Sequence, residues 1–206
     1  MEVSRALADL EEVRTRLAAV QRFRGLSSGA AIASGLAALG AGFIQATTIA
    51  HPGSPVDGQR YLTIWIACLA FSLATNYGAI LVWLARNWSV RSRVQIKSVG
   101  MTILPSIVAG GLFTIVFIQR DELGLLPGMW CVCYALGLIA SRAMGPAGLT
   151  GIAALFAASG TALLFAPATN ALAWWVMPST FGIGQLIVGA LVARENHTLA
   201  APEHVR

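Results

Sequence analysis

The sequence predicts an all-α, polytopic membrane protein, and three observations predict it. Of its 206 residues, 56% are hydrophobic and only 11% charged, with a mean hydropathy of +0.70; a soluble domain carries about twice that charge. Six apolar runs, 26–50, 61–85, 98–119, 123–141, 147–167 and 171–193, approach the ~20 residues that a helix needs to cross ~30 Å of hydrocarbon. The basic residues alternate in abundance from loop to loop. Arg5, Arg14, Arg16, Arg22, Arg24, Arg86, Arg91, Arg93, Lys97, Arg142, Arg194 and Arg206 fall on one side of such a six-span arrangement, and only Arg60 and Arg120 on the other.

That asymmetry predicts six transmembrane helices in a cell (inner) membrane with both termini cytoplasmic. It divides the chain into an N-terminal amphipathic helix (1–25), a transmembrane bundle (26–194) and a cytoplasmic tail (195–206). The formal charge of +5 therefore reports orientation towards the lipid bilayer. No aromatic-studded basic patch accompanies it, so no nucleic-acid partner is expected. The segment before the first run contains Glu2, Asp9, Glu11 and Glu12, too long and too acidic for a cleaved signal's leading region; the first span is expected to act as an uncleaved anchor.

Within the first segment, Val3, Ala6, Leu10, Val13, Leu17 and Val20 recur at intervals of three and four, which places them on one stripe of a helix. Glu12 and Arg16 stand four apart in the favourable order. The stripe either packs on the bundle or lipid, or forms a seam for a second copy or a cytosolic partner through Leu10, Val13, Leu17 and Val20. Its mixed charge fits simple adsorption to anionic lipid poorly.

Span one carries a small-residue ladder, Ala30, Ser34, Ala38, Gly42 and Ala46. Helix association in lipid rests on close packing, which small residues permit, so this helix should be gripped by at least one neighbour. Spans three (Ser106, Gly110, Thr114) and five ("GLTGIAALFAASGTA") share that character. Spans two, four and six instead begin with a tryptophan followed at +3 and +6: Trp65, Cys68, Phe71; Trp130, Cys133, Leu136; Trp175, Pro178, Phe181. Three repeated hairpins would produce this pattern, and so would an ordinary aromatic belt.

Pro105 and Pro178 mark candidate hinges, since each removes a helical hydrogen bond from the carbonyl four residues earlier, that of Met101 or Trp174. Pro127 stands at the start of span four, where proline costs little.

Reactive chemistry is sparse. All nine acidic residues and the three histidines lie outside the six runs, whereas proton relays and buried catalysis in membranes depend on embedded ionisable groups. There is no H-E-x-x-H and no phosphate-binding glycine loop. No catalytic residue, cofactor or metal is expected, and Arg120-Asp121-Glu122 reads as a solvated turn. Cys131 and Cys133, two apart, point about 200° away from each other on a helix, so they cannot share one metal. They are expected to pack as small hydrophobes; a thiol or soft-metal site including Cys68 is the alternative. The polar groups inside the runs are amides: Gln45, Asn76 and Gln185. Asn76 and Gln185 lie at similar distances from Arg86 and Arg194, so they should share a depth. With Ser179 and Thr180 they read either as inter-helix clamps or as a polar patch for a small uncharged ligand.

Three stretches, "LEEVRTRLAAVQRFRGLSSGAAIASGLAALGAG", "LPGMWCVCYALGL" and "FGIGQLIVGALVAR", resemble small bacterial six-helix membrane proteins. Those carry an L-E-E-I-R-type amphipathic start, an L-P-G-x-W motif and a closing F-G-x-x-H-x-x-x-G-x-x-x-A-R. The resemblance implies the six-helix fold and transfers no activity; Gln185 stands where that pattern has histidine. The functional expectation is a non-catalytic scaffold or sensor acting through a homo-oligomer or a partner protein. The alternative is a channel or facilitator for a small neutral solute.

Overall fold

The computed structural model describes residues 25–51, 54–88 and 90–200. The predicted N-terminal stripe, with Leu10, Val13, Leu17 and Val20, and the end of the tail lie outside the described residues. Six longer helices follow one another: α1 (Ser28–Thr48), α2 (Pro55–Arg86), α3 (Val90–Gln119), α4 (Leu126–Ser141), α5 (Leu149–Leu164) and α6 (Ile183–Ala200). A 3-10 turn, Leu123–Leu125, leads straight into α4, a single helical turn covers Ala168–Ala171, and a π turn, Pro178–Gly182, opens into α6. The described residues contain no strand.

Local chemistry sets the helix ends. Ser27 caps α1 by accepting from the Ala30 N–H at 3.2 Å. Ser54 caps α2 by accepting from the Asp57 N–H at 3.2 Å, and Pro55 follows at the first helical position, where its missing N–H costs nothing. The Asp57 carboxylate is turned back, accepting from the His51 N–H at 3.0 Å and from Arg60 at 3.1 Å. It stays in the first turn of α2, so the acidic group is covered without entering the middle of the bundle. At the end of α3, Asp121 adopts a left-handed conformation with φ 56°. The Glu122 N–H then reaches back to the Phe117 carbonyl and that of Asp121 to Ile118, a Schellman closure. Arg120-Asp121-Glu122 is thus a helix stop.

Among the described residues, four helices are long and apolar enough to cross a membrane: Ser28–Thr48, Val56–Arg86, Gly100–Gln119 and Leu123–Ser141. The other two expected spans come out differently. Run 147–167 yields a helix of only 16 residues, about 24 Å long, because Gly148 at φ 95° delays its start and Pro167 follows its end. Run 171–193 is interrupted at 172–175, widens at Pro178, and becomes a helix that carries Arg194, Glu195 and His197.

α1 sits between α2 on one side and the π turn with α6 on the other, while α4 sits between α3 and α5. α2 and α3, consecutive in sequence, pack on different neighbours and form no packed pair with each other. The α1 ladder explains the first group. Gly35 and Gly42 face the π turn so closely that an added Cβ at Gly35 would lie 2.9 Å from the Gly182 carbonyl and one at Gly42 would overlap the Pro178 ring. Ala30, Ser34, Ala38 and Gly42 are buried as the spacing predicts, whereas Ala46 is exposed: Gln45, one residue earlier, takes the inward position. The α3 ladder explains the second. Gly110 meets Cys133, and Gly137 meets Ser106. α4 and α5 cross at Gly128 and Gly160, where a Cβ on either would stand within 3.0 Å of the other's carbonyl.

Two buried clusters result. One joins Cys131, Ala135, Leu138, Leu149, Ile152, Ala153 and Phe156; the other joins Ala38, Ala41, Tyr61, Trp65, Leu172 and Met177. Phe181 of the π turn borders both.

Candidate functional site

Each of the three amides ties one element to another. The Gln45 side chain, 2% exposed, donates to the Leu172 carbonyl at 2.7 Å and accepts from the Trp65 indole at 2.9 Å. Asn76 donates to the Ser34 hydroxyl at 2.9 Å and to the Ser72 carbonyl at 2.8 Å, and Ser34 donates onward to the Ala30 carbonyl. Ser34 and Gln45 are eleven residues apart on α1, and Trp65 and Asn76 eleven apart on α2. Eleven residues are close to three helical turns, so both bonds fall on one antiparallel seam. Gln185 donates to the Tyr134 hydroxyl at 2.7 Å. Asn76 and Gln185 serve different helix pairs, α1–α2 and α4–α6.

The indoles give the hairpin idea a physical test. Trp65 donates to Gln45 on the preceding helix, and Trp130 donates to Thr114 on its preceding helix at 2.8 Å. These two hairpins share the device. The third does not: Trp175 is 53% exposed, and α6 packs mainly on α1 rather than on α5.

The proline positions separate as well. α3 remains helical through Pro105, which is exposed. Pro178 is buried against Gly42 and starts the π turn. Proline has no N–H for the Trp174 carbonyl, and that carbonyl faces Gly42. Ser179 and Thr180 fold back on the same turn, each donating to the Val176 carbonyl at 2.9 Å. Their hydroxyl protons thus serve the widened backbone.

Sequence reasoning passed over Tyr61, which packs in one cluster with Met177, just ahead of this turn. Tyr61, 0% exposed, holds its hydroxyl among buried groups with no hydrogen-bond partner. The Cys131 thiol, also 0% exposed, belongs to the other cluster. Nearby, Tyr134, Phe156 and Phe181 form a ring triangle with centroids 4.7, 5.4 and 5.1 Å apart, and Gly184 makes room for Phe156. The signal for Tyr61 was its position four residues before Trp65, on the same helix face; its burial depends on Ala38 and Ala41 of α1 and on Leu172 and Met177, which spacing within α2 does not reveal.

Cys131 lies against Gly160 of α5, and Cys133 against Gly110 of α3. The two thiols serve opposite faces, as their 200° separation requires. All three cysteines are free. Among the described residues no three of His, Cys, Asp and Glu gather as metal ligands. A shallow open groove at the α1–α2 loop is lined by Thr48, Val56, Gln59, Arg60, Thr63 and Ile64. The arrangement can fix helices against one another through neutral hydrogen bonds.

No protein-family model, curated protein or solved structure matches this chain.

Proposed function

We propose that this chain is a non-catalytic, six-crossing inner-membrane protein with cytoplasmic termini, acting as a scaffold or sensor through association with a second copy or a partner protein. The observation that carries the reading is the use made of the embedded polar side chains. Gln45, Asn76 and Gln185 each hold one helix to another, which leaves shape and contact as the means of action. Long apolar surfaces on α2 (Ile66, Leu69, Phe71) and α3 (Leu104, Leu112, Ile115) are exposed and supply the lipid-facing wall. Association is assigned to the N-terminal stripe of Leu10, Val13, Leu17 and Val20. The resemblance to small six-helix bacterial membrane proteins agrees with the crossing number.

The facilitator reading draws less support, because Asn76 and Gln185 belong to separate contacts rather than one polar lining. Native mass spectrometry of the full chain and of a form lacking residues 1–24 tests the proposal. The full chain should carry a second copy or a co-purified protein, and the shortened form should lose it. A full chain that is monomeric and free of partners, or association indifferent to the deletion, overturns the reading. A solute flux in proteoliposomes above that of empty vesicles favours the facilitator instead.

A further inference from the structure

We infer that the connection between α5 and α6 is an interfacial anchor, with Phe165, Trp174 and Trp175 gripping the glycerol and carbonyl layer of the outer phospholipid leaflet. The inference rests on the reading in which α5 crosses the membrane. Its starting point is a difference among the tryptophans. Trp65 and Trp130 spend their indole N–H groups inside the bundle, on Gln45 and Thr114. Trp174 and Trp175 turn outward instead, 54% and 53% exposed, and Phe165 is 87% exposed.

The depth of these rings follows from contacts with α1. That helix has 21 residues, about 31 Å of length, close to the ~30 Å of a hydrocarbon core. Its end at Thr48 therefore marks the outer edge of the apolar layer. Gln45, three residues before that end, holds the Leu172 carbonyl at 2.7 Å. Gly42, six before it, faces the Trp174 carbonyl, which lies 3.2 Å from where a Cβ would stand. At about 1.5 Å per residue, the chain at 172–174 runs roughly 5–9 Å below the end of α1. On the other flank, Phe165 follows Leu164, whose backbone nitrogen packs on Gly128 in the first turn of α4. The turn Ala168–Ala171 lies between the flanks and presents Thr169 and Asn170, both exposed. Ala168 packs on Gly124, a helical turn nearer the outer end than Gly128. A polar tip with aromatic flanks set lower matches the membrane interface. Indoles concentrate there because the ring is apolar while its N–H finds partners among headgroups and water. Leu172, Val176 and Met177, on either side of the two indoles, are buried, which fixes the indoles at that depth. Positions 165–177 carry no charge, so nothing selects a particular headgroup, and the partner is the carbonyl layer common to phospholipids.

Depth-dependent quenching of tryptophan emission in vesicles tests this. The full chain is compared with a Trp174→Phe/Trp175→Phe variant, so that the difference isolates the two indoles. Phosphatidylcholine brominated near the carbonyl end of its chains should remove most of the difference emission. Iodide in the water, and bromines at the methyl end of the chains, should remove much less. Strongest quenching by iodide, strongest quenching at the methyl end, or no quenching by any of the three, as a covering protein copy would give, overturns the anchor. An impermeant maleimide on Asn170→Cys, read against the chain with its natural cysteines alone, checks the side of the membrane. Labelling of intact cells together with quenching by the shallow bromines supports the proposal. Labelling of intact cells without that quenching overturns the anchor and leaves the crossing reading standing. Labelling only after the membrane is opened overturns the crossing reading, and the outer-leaflet assignment with it.

Discussion

Gln45 is the residue on which the most distant parts of the chain depend. Its carboxamide satisfies the Leu172 carbonyl and the Trp65 indole at once, so replacing it leaves two buried polar groups without partners. Gln45→Leu should cost about 1–3 kcal/mol per group left unpaired, read as loss of thermal stability in detergent. Asn76 is only half-buried, and Asn76→Leu should cost about 1 kcal/mol or less. If the two substitutions cost the same, the difference in burial is not what sets their importance. Gln45 could be singled out in the sequence as an amide in an apolar run. Its partner Leu172 could not, because the bond is made by a backbone carbonyl 127 residues away. Tyr61 was hidden for a related reason: an unpaired hydroxyl is a property of its neighbours on other helices.

At the scale of elements, spacing predicted which residues would be small and inward but not whom they would meet. Ser106, Gly110 and Thr114 do form one face, and it meets Gly137, Cys133 and Trp130 of α4. That register can be trapped. A Cβ built at Gly110 lies 3.7 Å from Cys133 Cβ, inside the ~3.5–4.5 Å that disulfides use. Gly110→Cys should therefore cross-link to Cys133 under mild oxidation, with Cys131 and Cys68 left free; mass mapping of the peptides checks it, and a bridge to Cys131 would mean a different helix rotation.

The α1–α6 contact is tighter. Gly42→Ala would press a methyl into the Pro178 ring, and the ring has little freedom to yield. The expected loss is about 1–3 kcal/mol, while Gly40→Ala, with open space around it, should leave the melting curve unchanged. The hinge expectation split between its two prolines because a proline's effect depends on surroundings. Pro105 is accommodated at an exposed position within α3, whereas Pro178 coincides with a widened turn wedged on a glycine.

For the whole molecule, composition and run length predicted an all-helical chain with several membrane-length segments, and among the described residues four helices meet that description. The fifth and sixth runs were longer in the sequence than as helices. Hydropathy counts apolar residues irrespective of backbone, so it overlooked the left-handed start at Gly148, the break at 172–175 and the π turn at Pro178. The proposed orientation has its own check. Reporter fusions at the two ends should both be active only as cytoplasmic markers, and a pair reporting opposite sides would require an odd number of crossings.

The placement of α1 between α2 and α6 bears on how the protein is made. A chain synthesised from its N-terminus completes the α1–α2 seam early, yet the other face of α1, with Gly35 and Gly42, stays open until residues 178–189 have emerged. Until then a glycine-rich helix surface must be tolerated by lipid or shielded by the insertion machinery, since contacts so remote in sequence form late. Chains stopped by premature termination ahead of Pro178 should consequently insert but be recognised by membrane quality-control proteases, and their half-life in pulse-chase labelling should be much shorter than that of the finished protein.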